Sequence, residues 1–275
     1  MKTLYIDCFS GISGDMFIGA LLDAGSDPVL LVEELKKLQF EDEYQLTWKK
    51  IVKNGITSTK FDVELKQTDY HHEHEHEHHH KPHHHHVHEH HHEHHHEHEH
   101  EHHHEHHHRS YKTIVKMIES SDLAPEVKET SLKIFRKIGE AEGHIHGVPL
   151  ETVHFHEVGA VDSIIDIVGA AILLHQLDIK KIKSSPVPVG SGNIHIDHGI
   201  YPVPAPATLE VLKGVPIEQS NVRFELTTPT GAAIAAVLAE EFCPVPSMTV
   251  SSIGYGAGTK SFKDRPNVLR VIIGE

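Results

Sequence analysis

Cysteine is scarce in this chain of 275 residues: Cys8 and Cys243 are the only two, and they stand far apart. Two distant thiols exclude a disulfide framework and fit a reducing compartment in which both stay free. No apolar run is long enough to span a bilayer, and the opening Met1-Lys2-Thr3-Leu4-Tyr5-Ile6-Asp7 meets an acid too early for a secretory segment. The expectation is a cytoplasmic protein with no membrane contact. Positive charge is also short, with Lys+Arg 25 against Asp+Glu 40 and a formal net charge of −15. That balance argues against nucleic acid as a partner. Missing too are a Walker G-x-x-x-x-G-K, a G-x-G-x-x-G after a strand, H-E-x-x-H and G-x-S-x-G, so hydride transfer and the common hydrolases lack support.

Histidine, by contrast, is abundant. Of 33 in the chain, 26 fall within residues 71–108, together with nine Glu and one apolar side chain, Val87. Such a tract cannot bury a core and is expected to be a disordered connector. Imidazole and carboxylate suit Ni, Zn, Co and Cu, and many equivalent sites give capacity without geometric selectivity. Because imidazole binds metal only when neutral, occupancy should fall as pH drops through about 6–7. A solvated spacer that binds metal incidentally has the same composition.

Outside the tract, chemistry concentrates in residues 153–170, V-H-F-H-E-V-G-A-V-D-S-I-I-D-I-V-G-A. His154 and His156 alternate with apolar neighbours as in a short strand, which turns both imidazoles to one side. Gly159 allows a turn, and Asp162 or Ser163 can cap the following helix, with Ser163-x-x-Asp166 a weak capping box. The helix from Ile164 to Leu177 is apolar nearly all round and should be buried. Asp162 and Asp166, at i and i+4, share a face near its start, close to His154, His156 and Glu157. Each residue admits a structural role, as cap or satisfied strand-end polar group. Two histidines and three carboxylates in an otherwise apolar segment nevertheless point to a metal site, because unpaired buried carboxylates are costly.

Other segments feed this centre. Residues 3–6 read as a buried strand, running through the Gly/Ser turn Asp7-Cys8-Phe9-Ser10-Gly11-Ile12-Ser13-Gly14-Asp15 into a helix that ends at Gly25. Such a turn can offer amides to an anion through Ser10, Gly11, Ser13 and Gly14. Asp7 and Asp15 would repel a bare phosphate there, favouring a cation-bridged phosphate or direct metal contact. Asp27-Pro28 opens a helix to Leu38, and 44–51 and 59–65 read as strands paired around Asn54-Gly55. Helices are expected at 111–120 and 125–141, followed by His144 and His146 as accessory ligands in a second His-x-His alternation. Beyond the buried helix, 181–188 reads as a strand. Then come a Gly-rich loop carrying His195 and His198, a proline-rich wall at 201–206 and a helix at 207–213. Thr228, Thr230 and Gly231, opening an Ala-rich helix, make a second phosphate or carboxylate site, with ordinary Thr capping as the alternative. Residues 248–258 and 267–273 end the chain as strands. The fold class is α/β, with α+β as the alternative: a mixed sheet with flanking helices, in parts 1–69, 70–109 (the connector) and 110–275.

Five motifs carry a resemblance: the turn D-C-F-S-G-I-S-G-D-M at 7–16; V-H-F-H-E-V-G-A-V-D-S-I-I-D-I-V-G at 153–169; P-V-G-x-G at 188–192 with H-G-x-x-P-V-P-A-P-A-T at 198–208; E-L-x-T-P-T-G-A at 225–232; and G-Y-G-A-G at 254–258. Together they resemble the LarC family, the nickel insertion proteins of lactate-racemase cofactor synthesis, over nearly all of the chain outside the tract. The resemblance implies a nickel chelatase of the lyase class. Its substrate would be pyridinium-3,5-bisthiocarboxylic acid mononucleotide, its product the nickel pincer cofactor, and its recipient the lactate racemase apoenzyme. It also implies CTP dependence with a divalent cation. Family members continue past the counterpart of Val268–Ile273 into a CTP-binding domain, whereas this sequence stops at Glu275, so the CTP step is expected to need a further domain or polypeptide. A homo-oligomer is compatible with the sequence. The expected nickel ligands are His154, His156, Glu157, Asp162 and Asp166, helped by His195 or His198, and no proton-transfer residue is assigned. The rival reading is a nickel storage or delivery metallochaperone without chemistry of its own.

Overall fold

The computed structural model describes residues 1–66, 109–155, 161–196 and 199–275. Its sheet is organised about Thr3–Asp7 (β1), whose Leu4, Tyr5 and Ile6 are buried. β1 pairs antiparallel with Val268–Gly274 (β11) and parallel with Lys181–Ser184 (β4). β11 continues antiparallel to Val250–Ala257 (β10), which meets Ile56–Leu65 (β3) through a parallel bridge at Gly256 and Thr59. β3 closes a hairpin with Tyr44–Lys53 (β2), and at the opposite edge β4 pairs parallel with Glu241–Phe242 (β9). The order β2-β3-β10-β11-β1-β4-β9 is a mixed sheet. Strands from both sides of the His tract therefore interleave. Asn54 and Gly55 turn the β2–β3 hairpin with φ 46° and 86°, the left-handed pair expected of Asn-Gly. Two small ladders stand apart, Val187–Pro188 (β5) with Ile217–Glu218 (β8), and Asn193–Ile196 (β6) with Gly199–Pro202 (β7).

Helices stack on this sheet in layers. Gly14–Asp23 (α1) lies on β3, β10 and β11, and Val161–Gln176 (α5) packs over α1. Pro125–His146 (α4) covers α5, with Pro229–Leu238 (α7) beside it and Pro206–Val211 (α6) against both α4 and α7. Pro28–Leu35 (α2) and Tyr111–Ser120 (α3) complete the set. α1 can approach β10 because Gly256 has no side chain: a Cβ there would lie 1.7 Å from the Met16 carbonyl oxygen. α5 is buried on nearly every face, as its composition requires, with Ile164, Ile165, Ile167, Val168 and Leu173 at 0% exposure.

Three local expectations are corrected. Residues 143–147 are not an alternating loop. α4 runs on through His144 and His146 and ends at Gly147, whose φ of 66° supplies the left-handed cap. α5 starts at Val161, so Ser163 lies inside the first turn rather than capping it. Residues 181–188 break into β4 and β5. The 71–108 tract and the 156–158 part of the central strand fall outside the described residues. His154 keeps one antiparallel bridge, to Ser110.

Candidate metal-insertion cleft

The β1–α1 turn is stitched to the segment that leads into α7. The Ile12 amide donates to the Leu226 carbonyl at 3.1 Å and the Thr228 amide to the Ile12 carbonyl at 3.2 Å. Gly11, at φ 91°, makes this contact possible, since a Cβ there would lie 1.8 Å from the Leu226 oxygen. Gly231 likewise sits 2.0 Å, measured from a built Cβ, from the Ile12 oxygen. Both glycines thus pack turn against turn, with no room at either position for a side chain. Ser10 is also turned inward: its side chain is buried and its hydroxyl donates to the Pro266 carbonyl at 2.7 Å. Thr228 caps α7, its hydroxyl accepting from the Gly231 amide at 3.2 Å.

Past this stitched turn, α5 crosses the first turn of α1 so closely that a Cβ on Gly14 would fall 2.3 Å from Asp166 Oδ2. The Asp15 amide donates to the Asp166 carboxylate. The other oxygen, Oδ1, is sealed from solvent and has no hydrogen-bond partner among the described residues. The Asp15 carboxylate accepts from the Ser13 hydroxyl and from Lys60 Nζ, the latter at 2.6 Å. Lys60, buried on β3, also reaches Asp62 at 2.7 Å and donates to the Phe61 carbonyl at 2.9 Å. Asp162 accepts from the Ser163 amide at 2.8 Å.

These groups line one cleft of about 580 Å³, which Ser13, Gly14, Asp15, Asp162, Asp166, His195, Thr228 and Thr230 share with Lys60, Asp62, Glu225 and Thr259. Among the described residues, five carboxylates and one ammonium line it. Burial, and then the charges of Asp15 and Asp162, push the Asp166 carboxyl well above the ordinary carboxylate range. Burial works against the Lys60 ammonium, but Asp15 and Asp62 outweigh it and hold its pKa above the usual lysine value. Among the described residues Lys60 is the only lysine or arginine that lines this cleft. Among the described residues no three His, Cys, Asp or Glu side chains already converge as a ligand set. Cys8 is no soft ligand, because burial pushes its thiol up to about 12.

The remaining sequence-derived candidates lie elsewhere. Asp7 is held by the Arg270 guanidinium, with Nε to Oδ2 at 2.8 Å, and lines a separate cleft. His146 pairs with Glu142 one turn back at 3.2 Å, and His144 faces Glu210 of α6, so the α4 histidines stand apart from the carboxylates. His154 is exposed and does not line the cleft. His156, Glu157 and His198 are outside the described residues.

Lys60, Asp62, Glu225 and Thr259 escaped the sequence reading. Lys60-x-Asp62-x-Glu64 looks like the wet face of an amphipathic strand, and only the crossing of α1 and α5 makes that end of β3 a cleft wall.

Known proteins resemble this chain along its whole length. The pyridinium-3,5-bisthiocarboxylic acid mononucleotide nickel insertion protein of Geobacillus kaustophilus is 51% identical over 278 residues, covering 100% of this chain and 60% of the relative. Proteins of the same name from Clostridium kluyveri and Staphylococcus epidermidis are 48% and 46% identical, over 100% and 98% of this chain and 62% and 59% of their own lengths. The chain thus spans about 60% of the curated relatives it matches. No solved structure matches it. A family profile described as nickel insertion protein matches residues 4–275, and the chain belongs to that family.

Proposed function

We propose that this chain inserts Ni(II) into pyridinium-3,5-bisthiocarboxylic acid mononucleotide, as a nickel chelatase of the lyase class that forms the nickel pincer cofactor of lactate racemase. The observation that carries the reading is the cleft of five carboxylates and His195 around the buried, unpartnered oxygen of Asp166, in a chain whose relatives are named for that substrate. Oxygen and imidazole ligands take up Ni(II) but hold it less firmly than sulfur, so a thiocarboxylate pair can draw the ion from them. Asp15, Asp162, Asp166 and His195 present the metal, and His156, Glu157 and His198 complete its ligand set. Bound nickel would relieve the repulsion among Asp15, Asp162 and Asp166, while Lys60 keeps Asp15 and Asp62 oriented. Ser13, Thr228 and Thr230 offer hydroxyls to the polar part of the substrate.

The rest of the reading concerns the chain as a whole. Residues 71–108 serve as a metal reservoir connecting 1–69 to 110–275 in a cytoplasmic protein. Among the described residues no helix is long and apolar enough to cross a membrane. At the two glycine turns, backbone carbonyls pack against Gly11 and Gly231. CTP dependence is proposed on the family resemblance alone.

The test is cofactor formation with nickel saturating, comparing the full chain with a variant lacking 71–108. Retained insertion with reduced metal capacity is expected. Loss of all insertion would favour a storage or delivery protein whose chemistry lies in the tract.

A further inference from the structure

We infer that the cleft on the other side of the β1–α1 turn, lined by Arg265 and Phe9, receives the phosphate of the mononucleotide; the inference rests on the nickel-insertion reading above. A mononucleotide carries a phosphate that must be neutralised, and the metal cleft is a poor place for it. Among the described residues five carboxylates line that cleft, and its one lysine is already shared by Asp15 and Asp62. The turn amides of Gly11 and Gly231 are engaged as well, donating to the Cys8 carbonyl at 2.7 Å and the Thr228 hydroxyl at 3.2 Å.

The second cleft, of about 520 Å³, has the opposite character. Arg109, Arg136 and Arg270 each hold a carboxylate. Arg265 holds none: among the described residues no hydrogen bond or ion pair engages it, and its Nε is buried without an acceptor. A buried guanidinium donor left unmade is costly, and a planar fork of this kind matches phosphate oxygens two at a time. Its guanidinium lies 5.9 Å from the centroid of Phe9, a ring left 53% exposed in a polar cleft. That ring offers an apolar surface to the sugar or pyridinium of a ligand whose phosphate reaches Arg265. The acids facing Arg265 are Asp7, neutralised by Arg270, and Glu218, which is exposed on β8. Ser220 and Asn221 add polar groups to the wall. Phe9 lines this cleft while Ser13 and Gly14, on the same turn, line the other. One extended mononucleotide can therefore present its thiocarboxylates to the carboxylate cleft and its phosphate to Arg265.

Calorimetric titration of the full chain tests this, using nicotinic acid mononucleotide as a pyridinium mononucleotide without sulfur, its phosphate-free riboside, and CTP. The wild type should bind the mononucleotide at least tenfold more tightly than the riboside. Arg265→Gln should bring the two to the same level, and Arg265→Lys should recover part of the difference, both with an unfolding midpoint no lower than that of the wild type. Equal mononucleotide affinity in wild type and Arg265→Gln would overturn the inference, as would a loss confined to CTP. Were the wild type to insert no nickel while mononucleotide affinity still depended on Arg265, the insertion reading would fail and this site would stand. Were the wild type to insert nickel with no dependence on Arg265, insertion would stand and this site would fail.

Discussion

Replacing Asp166 by asparagine separates what the buried carboxylate costs the metal-free protein from what it supplies to the metal. The folded-state pKa of Asp166 is raised by burial and by Asp15 and Asp162, whereas in the unfolded chain it returns to about 3.9. The folded protein therefore binds this proton more tightly than the unfolded chain does. Its contribution to stability is fully present below about pH 4 and is lost as pH climbs toward the raised value, at up to about 1.4 kcal/mol per pH unit. Above that value the loss is constant. Asn has no proton to lose, so Asp166→Asn should be the more stable protein at pH 8 without metal. The unpartnered Oδ1 sets the scale, since a buried polar group lacking a partner costs about 1–3 kcal/mol, more when charged. For a fold of this size that is a rise of roughly 2–4 °C in midpoint per kcal/mol. Excess nickel should reverse the ranking: at a hundredfold over Kd it stabilises the wild type by about 2.7 kcal/mol and does little for the variant. Thermal unfolding from pH 4.5 to 8.5, with chelator and with nickel, reads both effects. An Asp166→Asn protein that unfolds earlier than wild type at pH 8 without metal, or a gap that fails to shrink toward pH 4.5, would refute the argument.

Other perturbations probe the same cleft. Lys60→Met leaves the partly exposed Asp15 and Asp62 without their shared ammonium and should destabilise the metal-free protein by about 1–3 kcal/mol in urea unfolding, with nickel restoring part of the loss. Gly14→Ala puts a methyl group where Asp166 lies, so it should abolish the nickel-dependent rise in unfolding midpoint. Gly256→Ala, overpacking α1 against β10, should cost about 1–3 kcal/mol or more while leaving that rise intact. Because both side chains are exposed, His195→Ala and His154→Ala should each change stability by less than about 0.5 kcal/mol, yet only His195→Ala should slow cofactor formation at saturating nickel.

Periodicity and turn chemistry alone determined most elements of this protein. The Asn54-Gly55 hairpin, the Asp27-Pro28 helix start, the buried helix after residue 160 and the strand–turn–helix at the N-terminus follow from local backbone preference and apolar spacing, which neighbours in space did not override. The pairing of Asp162 with Asp166 was legible for the same reason, because i and i+4 share a helix face whatever surrounds it. The sequence could not decide which surfaces meet. His144 and His146 look like a ligand pair when read as alternating residues, but α4 continues through them and its packing carries them away from the carboxylates. Ser10 and Gly11 look like a phosphate cradle, but in the fold the Ser10 hydroxyl donates to Pro266 and the Gly11 amide to Cys8, with the Glu225–Thr228 segment docked on the turn. Lys60 and Asp62 look like solvated strand residues until α5 crosses α1 at Gly14 and turns that end of β3 into a cleft wall. The last two are long-range contacts permitted by the absence of a side chain at a glycine, and a missing atom shows its partner only once the chain has folded.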